Sequence, residues 1–262
     1  MTLIIGIRCE DGIVLGADGM ATFGNIGLRT IQQPARKLTQ IGECIAIGTS
    51  GPVGLAQRFS SALRELWDDK KLAGKAPHDA MTILQGAFWQ YAEKEFKAAQ
   101  VTAPLLGQAA LESAMSSTVL AIPLEKKPCL INFNHQCSPE LASGDLPFIS
   151  VGSGQPLADP FLAFLRRIFW SDHPPKVNEG VLATLWSLEQ AIRTNPGGVG
   201  HPIQIMTLEK VDGEWKVKEL GQSDLGEHQQ AIADAEGVFA KFRDFVKPSE
   251  TESSPPEPNT AS

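Results

Sequence analysis

The sequence predicts an α+β fold in which two β-sheets pack face to face between layers of helices, a four-layer αββα sandwich. The chain has 262 residues, of which 42% are hydrophobic and 20% are charged, and this is sufficient for one large domain with a full core. Apolar segments follow one another in blocks: strands, two helices, strands, two helices, strands and a helix. An apolar sheet face must be buried against a second sheet or a helix layer, so this order favours the sandwich without singling it out.

The strands are predicted from short apolar runs that are separated by turn residues. The first two flank Asp11-Gly12, a dipeptide that is typical of tight hairpin turns. Residues 19–33 begin with a glycine, contain Gly24 and Gly27 and show little periodicity, so we expect a loop there. The predicted strands cover residues 2–8, 13–17, 36–41, 43–49, 117–123, 129–134, 147–151, 203–209 and 215–220.

The helices are predicted from apolar residues that recur at a spacing of three or four positions. They cover residues 52–67, 78–100, 157–170, 178–193 and 227–245. Residues 247–262 are rich in Pro, Ser and Glu and cannot build a core, so we expect a disordered acidic tail. The remaining residues, 2–246, are expected to form a single domain.

Composition excludes several classes of function. The net charge of −7 argues against a broad nucleic-acid-binding surface. No apolar run has the length of a membrane span, and the N-terminus lacks the features of a signal peptide, so we expect a cytoplasmic protein without a membrane partner. The four cysteines lack the pair spacing of a metal site, and we expect buried free thiols and no metal.

The first candidate for chemistry is Thr2, which follows the initiator methionine directly. A small second residue generally permits removal of Met1, and Thr2 would then carry both a hydroxyl and a free α-amine. An α-amine titrates at about pH 8, so it can act as the base for the hydroxyl of its own residue. A threonine at this position has little weight alone, and its significance depends on the residues that follow.

The residues that follow resemble those of the proteasome β-type subunits, including the bacterial proteasome-like peptidases, which are N-terminal-nucleophile hydrolases of the αββα class. The resemblance covers residues 2–220 and is strongest over residues 2–55, where a set of residues matches the family pattern in order. This set comprises Thr2, Gly12, Ala17, Asp18, Ala21, Thr22, Gly24, Lys37 and residues 48–51. Residues 151–155, Val-Gly-Ser-Gly-Gln, also match the glycine-serine-glycine turn before the family's third helix.

The resemblance implies that Thr2 is the nucleophile and that Lys37 and Asp18 support it. The Lys37 ammonium would lie beside the Thr2 hydroxyl and lower its pKa, while Asp18 would keep that ammonium charged and oriented. The spacing from Lys37 to Gly51 agrees with the family without a gap, which favours Lys37 over Arg36. The alternative roles are ordinary ones: a strand-start threonine, a surface lysine and a turn aspartate.

The resemblance also assigns Gly51 and Ser153 to the catalytic site. The main-chain N–H of Gly51 would receive the oxyanion of a tetrahedral intermediate, and Ser153 would position the terminal amine. A turn glycine and a helix-capping serine are the alternatives. The family's aspartate and serine before its late glycine-rich turn have no counterpart here, where Thr194 or Asn195 would have to replace them and neither carries a charge.

Matching positions further imply a substrate pocket. Ala21, Ala35, Thr49 and Val53 would line it, and Thr22 would offer its main chain to an extended peptide. These residues are small and uncharged, so we expect a neutral, apolar residue before the scissile bond.

The implied function is hydrolysis of polypeptide substrates by a threonine endopeptidase, through an acyl-enzyme on Thr2 and without a cofactor. Subunits of the family form stacked rings, so we expect a homo-oligomeric double ring, a tetradecamer, with an ATP-dependent unfoldase as a candidate partner. No long segment precedes Thr2, so removal of Met1 would suffice for maturation. Two alternatives remain: an N-terminal-nucleophile amidase acting on small amides, and a non-enzymatic ring subunit, which the missing aspartate favours.

Overall fold

Two five-stranded antiparallel sheets lie at the centre of the fold in a computed structural model, which describes residues 2–25, 28–195 and 198–246. The first sheet contains β1 (Ile4–Arg8), β2 (Gly12–Ala17), β10 (Phe148–Val151), β11 (Gln204–Val211) and β12 (Glu214–Glu219). The second contains β5 (Leu38–Ile41), β6 (Ile45–Ser50), β7 (Ser117–Leu124), β8 (Lys127–Phe133) and β9 (Pro139–Leu141). Their strand orders are β10-β1-β2-β11-β12 and β5-β6-β7-β8-β9. The expected tail, residues 247–262, lies outside the described residues.

Six helices occur in the described ranges. They are α1 (Val53–Asp68), α2 (Pro77–Leu106), α3 (Gln108–Ser113), α4 (Gln155–Phe169), α5 (Val177–Thr194) and α6 (Gln222–Val246). Helices α1 and α2 pack on the second sheet, and α4 and α5 pack on the first. None of these helices combines the length and apolar character that crossing a bilayer requires.

The alternation of side chains along β1 explains the layering. Ile4 points into the apolar cluster between the two sheets, whereas Ile5 and Ile7 point into the cluster beneath α4 and α5. Successive side chains of a strand face opposite ways, so a strand that is buried on both faces has an uninterrupted apolar sequence. The structure confirms the predicted α+β sandwich of four layers.

The structure differs from the sequence prediction at residues 19–33, where a loop is expected. A two-stranded hairpin occupies this region, formed by β3 (Met20–Asn25) and β4 (Leu28–Pro34). The hairpin joins neither central sheet, and the Ile31 side chain is 55% exposed. Residues 31–34 of β4 are all exposed, so this part of the strand lacks the alternation by which strands are predicted.

The segment after the second helix also differs. Helix α2 continues to Leu106, beyond the expected end at residue 100, and the unpredicted α3 follows at once. Val101 and Leu105 in the last turns of α2 are almost fully exposed. Their apolar side chains therefore do not mark a buried face, and the helical periodicity is lost while the helix continues.

Candidate functional site

A pocket of about 910 Å³ is bounded by the β3–β4 hairpin, the start of β5 and the end of β6. The first half of α1 and the end of α3 complete its walls. Most of the residues that the sequence singles out line it together. These are Thr2, Ala21, Ala35, Lys37, Thr49, Gly51 and Val53. Residues that are up to 51 positions apart in the chain therefore share one cavity.

Thr2 is held by the turn that precedes α4. Its main-chain nitrogen donates a hydrogen bond to the Ser153 hydroxyl, 3.1 Å away, and its carbonyl accepts one from the N–H of Gly154 at 3.1 Å. Gly152 has φ +98°, and a Cβ there would lie 2.2 Å from the Thr2 carbonyl oxygen. Only glycine allows this close approach, so the glycine-serine-glycine sequence fixes the position of Thr2.

A buried ion pair joins Asp18 to Lys37, which lines the same pocket as Thr2. The Lys37 ammonium is 2.6 Å from Asp18 Oδ1, and the two side chains are 8% and 0% exposed. Asp18 also accepts main-chain hydrogen bonds from Leu3 at 2.8 Å and from Met20 and Gly200 at 3.2 Å. These donors satisfy the buried carboxylate, which would otherwise be costly to remove from water.

The environment of Lys37 differs from that of the neighbouring Arg36. Burial lowers the pKa of the Lys37 ammonium, and the Asp18 carboxylate opposes this effect. Arg36 is exposed and pairs with Glu219 near the pocket rim. The structure thus places Lys37, rather than Arg36, against Asp18.

Gly51 lies between β6 and α1, as the sequence predicts for the oxyanion position. It has φ +128°, and a Cβ there would lie 2.5 Å from the carbonyl oxygen of Met115. Glycine is therefore required for the turn, whatever its chemical role. The adjacent start of α1 provides a partial positive charge that could favour an anion in the pocket.

The remaining predicted pocket residues are placed as follows. The Thr49 hydroxyl is 3.0 Å from that of Thr118, and Val53 is 56% exposed at the start of α1. The main chain of Thr22 pairs with Gln32 in the hairpin. Strand β3 has β4 as its one hydrogen-bonded neighbour within the described residues, so its outer edge can receive an extended peptide.

The sequence did not indicate the far wall of the pocket. This wall includes Glu112 and Ser113 of α3, Met115 just beyond it, and Gln57 and Ser60 of α1. Glu112 adds a carboxylate to a pocket whose predicted lining is uncharged. No sequence signal pointed to these residues, because α3 was not predicted and the α1 residues read as an ordinary polar helix face.

The segment that begins at Thr194 lacks the aspartate expected from the resemblance, and it contacts the site through the main chain of Gly200. The Thr194 hydroxyl donates to the carbonyl of Gln190 at 2.8 Å, so its proton is used within α5. Asn195 follows the end of this helix. Neither residue supplies a charge, whereas the N–H of Gly200 donates directly to Asp18.

Metal-ligating side chains do not cluster in the part of the chain that the structure describes. No group of three or more His, Cys, Asp or Glu residues within it could hold a metal ion. The four cysteines are free thiols, and burial raises the pKa of Cys137 to about 11.

The two face-to-face sheets and the helix layers form the architecture that the resemblance to N-terminal-nucleophile hydrolases predicts. A model of the proteasome subunit family matches residues 2–94. The proteasome subunit beta of Methanococcus aeolicus is 26% identical over 212 residues, which are 80% of this chain and 84% of that protein.

Solved structures agree with this assignment of the fold. Anbu, an ancestral beta-subunit from Yersinia bercovieri, has a TM-score of 0.67 at 17% identity, covering 92% of this chain and 97% of its own. The Anbu complex from Pseudomonas aeruginosa, a helical assembly, has a TM-score of 0.65 at 17% identity and 98% coverage of both chains. The chain is thus similar to proteasome β subunits in sequence and to Anbu in fold, as its resemblance to that family predicts.

Proposed function

We propose that the chain is a threonine endopeptidase that hydrolyses peptide bonds through an acyl-enzyme on Thr2. The observation that carries this proposal is the position of Thr2, which lines a pocket together with Lys37 and has Ser153 at its nitrogen. In the full chain this nitrogen is the amide of the Met1–Thr2 bond and is not a base. Removal of Met1 would convert it into an α-amine.

In the proposed reaction, the Thr2 hydroxyl oxygen attacks the carbonyl carbon of the scissile bond, and the α-amine takes the hydroxyl proton. The carbonyl π electrons move to oxygen, and the main-chain N–H of Gly51 donates to the resulting oxyanion. The carbonyl re-forms as the C–N bond breaks, and the protonated α-amine of Thr2 gives its proton to the leaving amine. Water hydrolyses the ester on Thr2 by the same sequence of steps.

Lys37 and Asp18 would control the charge around the nucleophile. A nearby ammonium stabilises a developing alkoxide and disfavours protonation of the α-amine. Burial works against the charged form of Lys37, and the Asp18 carboxylate at 2.6 Å preserves it. The ion pair therefore fits a role in activating Thr2 at neutral pH.

The proposed substrate is an extended polypeptide that pairs with the outer edge of β3. A small, neutral residue before the scissile bond would contact Ala21, Ala35 and Thr49. A substrate of this kind enters an assembly only when it is unfolded, so an ATP-dependent unfoldase is the candidate partner.

The proposed assembly is a homo-oligomeric double ring, a tetradecamer, in the cytoplasm. The relatives named proteasome subunit beta support a ring. The helical assembly of the Anbu complex offers an open helix as the alternative. Native mass spectrometry and electron microscopy of the purified protein distinguish a closed particle of 14 subunits from a distribution of lengths.

A non-enzymatic ring subunit is the second candidate function. It is favoured by the segment around Thr194, which supplies no carboxylate. The Thr194 hydroxyl is itself hydrogen-bonded to the Gln190 carbonyl within α5. In that case Thr2 would occupy the pocket without reacting.

The test is the intact mass of the full-length protein with and without a peptide epoxyketone. We expect the protein to lose Met1 and to form a single adduct. Thr2→Ala should abolish the adduct. The control Thr102→Ala, at an exposed threonine of α2, should retain it. A retained Met1 would refute the mechanism. Loss of Met1 without an adduct would favour the non-enzymatic subunit, and turnover of small amides but not of peptides would favour an amidase.

A further inference from the structure

We propose that Gln204 is a positioning residue that holds the main chain around Lys37 in register with Asp18. Gln204 is the first residue of β11 and pairs with Ala17 of β2, which immediately precedes Asp18. Its side chain lies on the same face of the strand as Met206, whose side chain packs between the two sheets. From there it reaches across to the segment that enters β5.

Both polar atoms of the Gln204 carboxamide take part in this contact. Its Oε1 accepts hydrogen bonds from the main-chain N–H groups of Lys37 at 2.9 Å and Leu38 at 3.3 Å. Its Nε2 donates to the carbonyl of Ala35 at 2.7 Å. One side chain therefore binds three main-chain groups over four consecutive residues, and all three bonds are partly buried.

This segment depends on an external partner because it lies between two strands. Strand β4 ends at Pro34 and β5 begins at Leu38, so residues 35–37 belong to neither strand; the N–H of Ala35 donates to the carbonyl of Gly19 at 2.8 Å, which leaves the carbonyl of Ala35 and the N–H of Lys37 to be paired. Main-chain polar groups that leave water must be paired elsewhere. Gln204 supplies that pairing at the point where the chain presents the Lys37 side chain to the pocket.

The same short stretch contacts both members of the ion pair. The N–H of Gly200 donates to Asp18 Oδ2 at 3.2 Å, and Gln204 binds the main chain of Lys37 at 2.9 Å. The carboxylate and the ammonium are thus positioned from residues 200–204. Lysine has a long and flexible side chain, so fixing its main chain restricts where the ammonium can lie.

The role of Gln204 in reactivity rests on the proposed function, because it acts through Lys37. Gln204→Met preserves the length of the side chain and removes all three hydrogen bonds. We expect the epoxyketone adduct on Thr2 to form at least about tenfold more slowly, since small displacements of catalytic groups have effects of this size. Gln204→Glu keeps the acceptor for Lys37 and Leu38, and we expect an intermediate rate.

Gln40→Met is the matched control. Gln40 lies on β5, and its Nε2 donates to the carbonyl of Gly42 at 3.0 Å, away from the pocket lining. The same substitution at this position removes a side-chain bond to the main chain without touching Lys37. We expect the wild-type rate of adduct formation.

Amide hydrogen exchange measures the holding of the segment independently of activity. In Gln204→Met the amides of Lys37 and Leu38 should exchange faster than in the wild type, and Gln40→Met should leave them unchanged. Wild-type exchange at these amides, or a wild-type adduct rate in folded Gln204→Met, would overturn the inference. If Gln204→Met does not fold, Gln204→Glu decides by the adduct rate alone, because it keeps the acceptor for Lys37 and Leu38 and loses the donor to Ala35; a wild-type rate in that variant would overturn the inference.

The two proposals fail in different ways. A wild-type protein that forms no adduct contradicts the proposed function, and exchange at Lys37 and Leu38 still tests whether Gln204 holds the segment. A reactive wild type with an equally reactive Gln204→Met contradicts the positioning role alone.

Discussion

Replacing Lys37 by methionine removes an ammonium and leaves the Asp18 carboxylate in the protein interior. The Asp18 side chain has no exposed surface, and its Oδ1 lies 2.6 Å from the Lys37 nitrogen. Loss of one partner of a buried ion pair typically costs about 3–5 kcal/mol. Main-chain N–H groups still donate to Asp18 from three positions, so we expect the lower end, about 3 kcal/mol of unfolding free energy.

The adjacent Arg36→Met is the matched comparison. Arg36 forms an ion pair with Glu219, but the two side chains are 60% and 46% exposed. Exposed pairs contribute about 0–1 kcal/mol, because water and salt screen them. The same substitution one position away should therefore cost several times less.

Urea denaturation followed by tryptophan fluorescence measures both variants. With a slope of about 2–3 kcal/mol per molar urea, Lys37→Met should lower the midpoint by about 1 M and Arg36→Met by at most about 0.5 M. Protomer concentration must be equal in all samples, because assembly contributes to apparent stability. Equal midpoints for the two variants would refute the conclusion that burial distinguishes Lys37 from Arg36.

Three further predictions concern the pocket. Gly51→Ala forces a Cβ to within 2.5 Å of the Met115 carbonyl oxygen, and thermal denaturation should show a loss of about 1–3 kcal/mol; no loss would mean that the turn relaxes. Ser153→Ala removes the acceptor at the Thr2 nitrogen, so adduct formation should slow about tenfold while stability changes by less than about 1 kcal/mol, and an unchanged rate would exclude a positioning role. Burial lowers the pKa of Lys37 from its usual value of 10.5. As the pH is raised, the ammonium should therefore lose its proton, and the adduct rate should begin to fall, before pH 10.5 is reached. A rate that is still rising at pH 10.5 would contradict a role for the charged form of Lys37.

The central strands could be predicted because their burial is recorded directly in the sequence. Ile4 faces the second sheet and Ile5 faces the helices, so β1 is apolar at every position that the sandwich covers. The β3–β4 hairpin could not be predicted in this way, since it pairs with neither central sheet and Ile31 is exposed.

The site was predictable only where the chain carries a local pattern. The turn around Ser153 and the spacing from Lys37 to Gly51 are such patterns, and the structure brings these residues together around Thr2 and its pocket. Gln204 has no local signature, because its contact with Lys37 joins residues that are 167 positions apart. A glutamine at the start of a strand becomes informative only when its partners are known.

The hydrogen bonds that hold Thr2 have a consequence for the proposed removal of Met1. The turn before α4 binds the nitrogen of Thr2 through Ser153 and its carbonyl through Gly154, on both sides of the side chain that would react. These contacts exist while the Met1–Thr2 bond is intact. Cleavage of that bond, which the proposed function requires, would therefore change the basicity of one atom without requiring Thr2 to move.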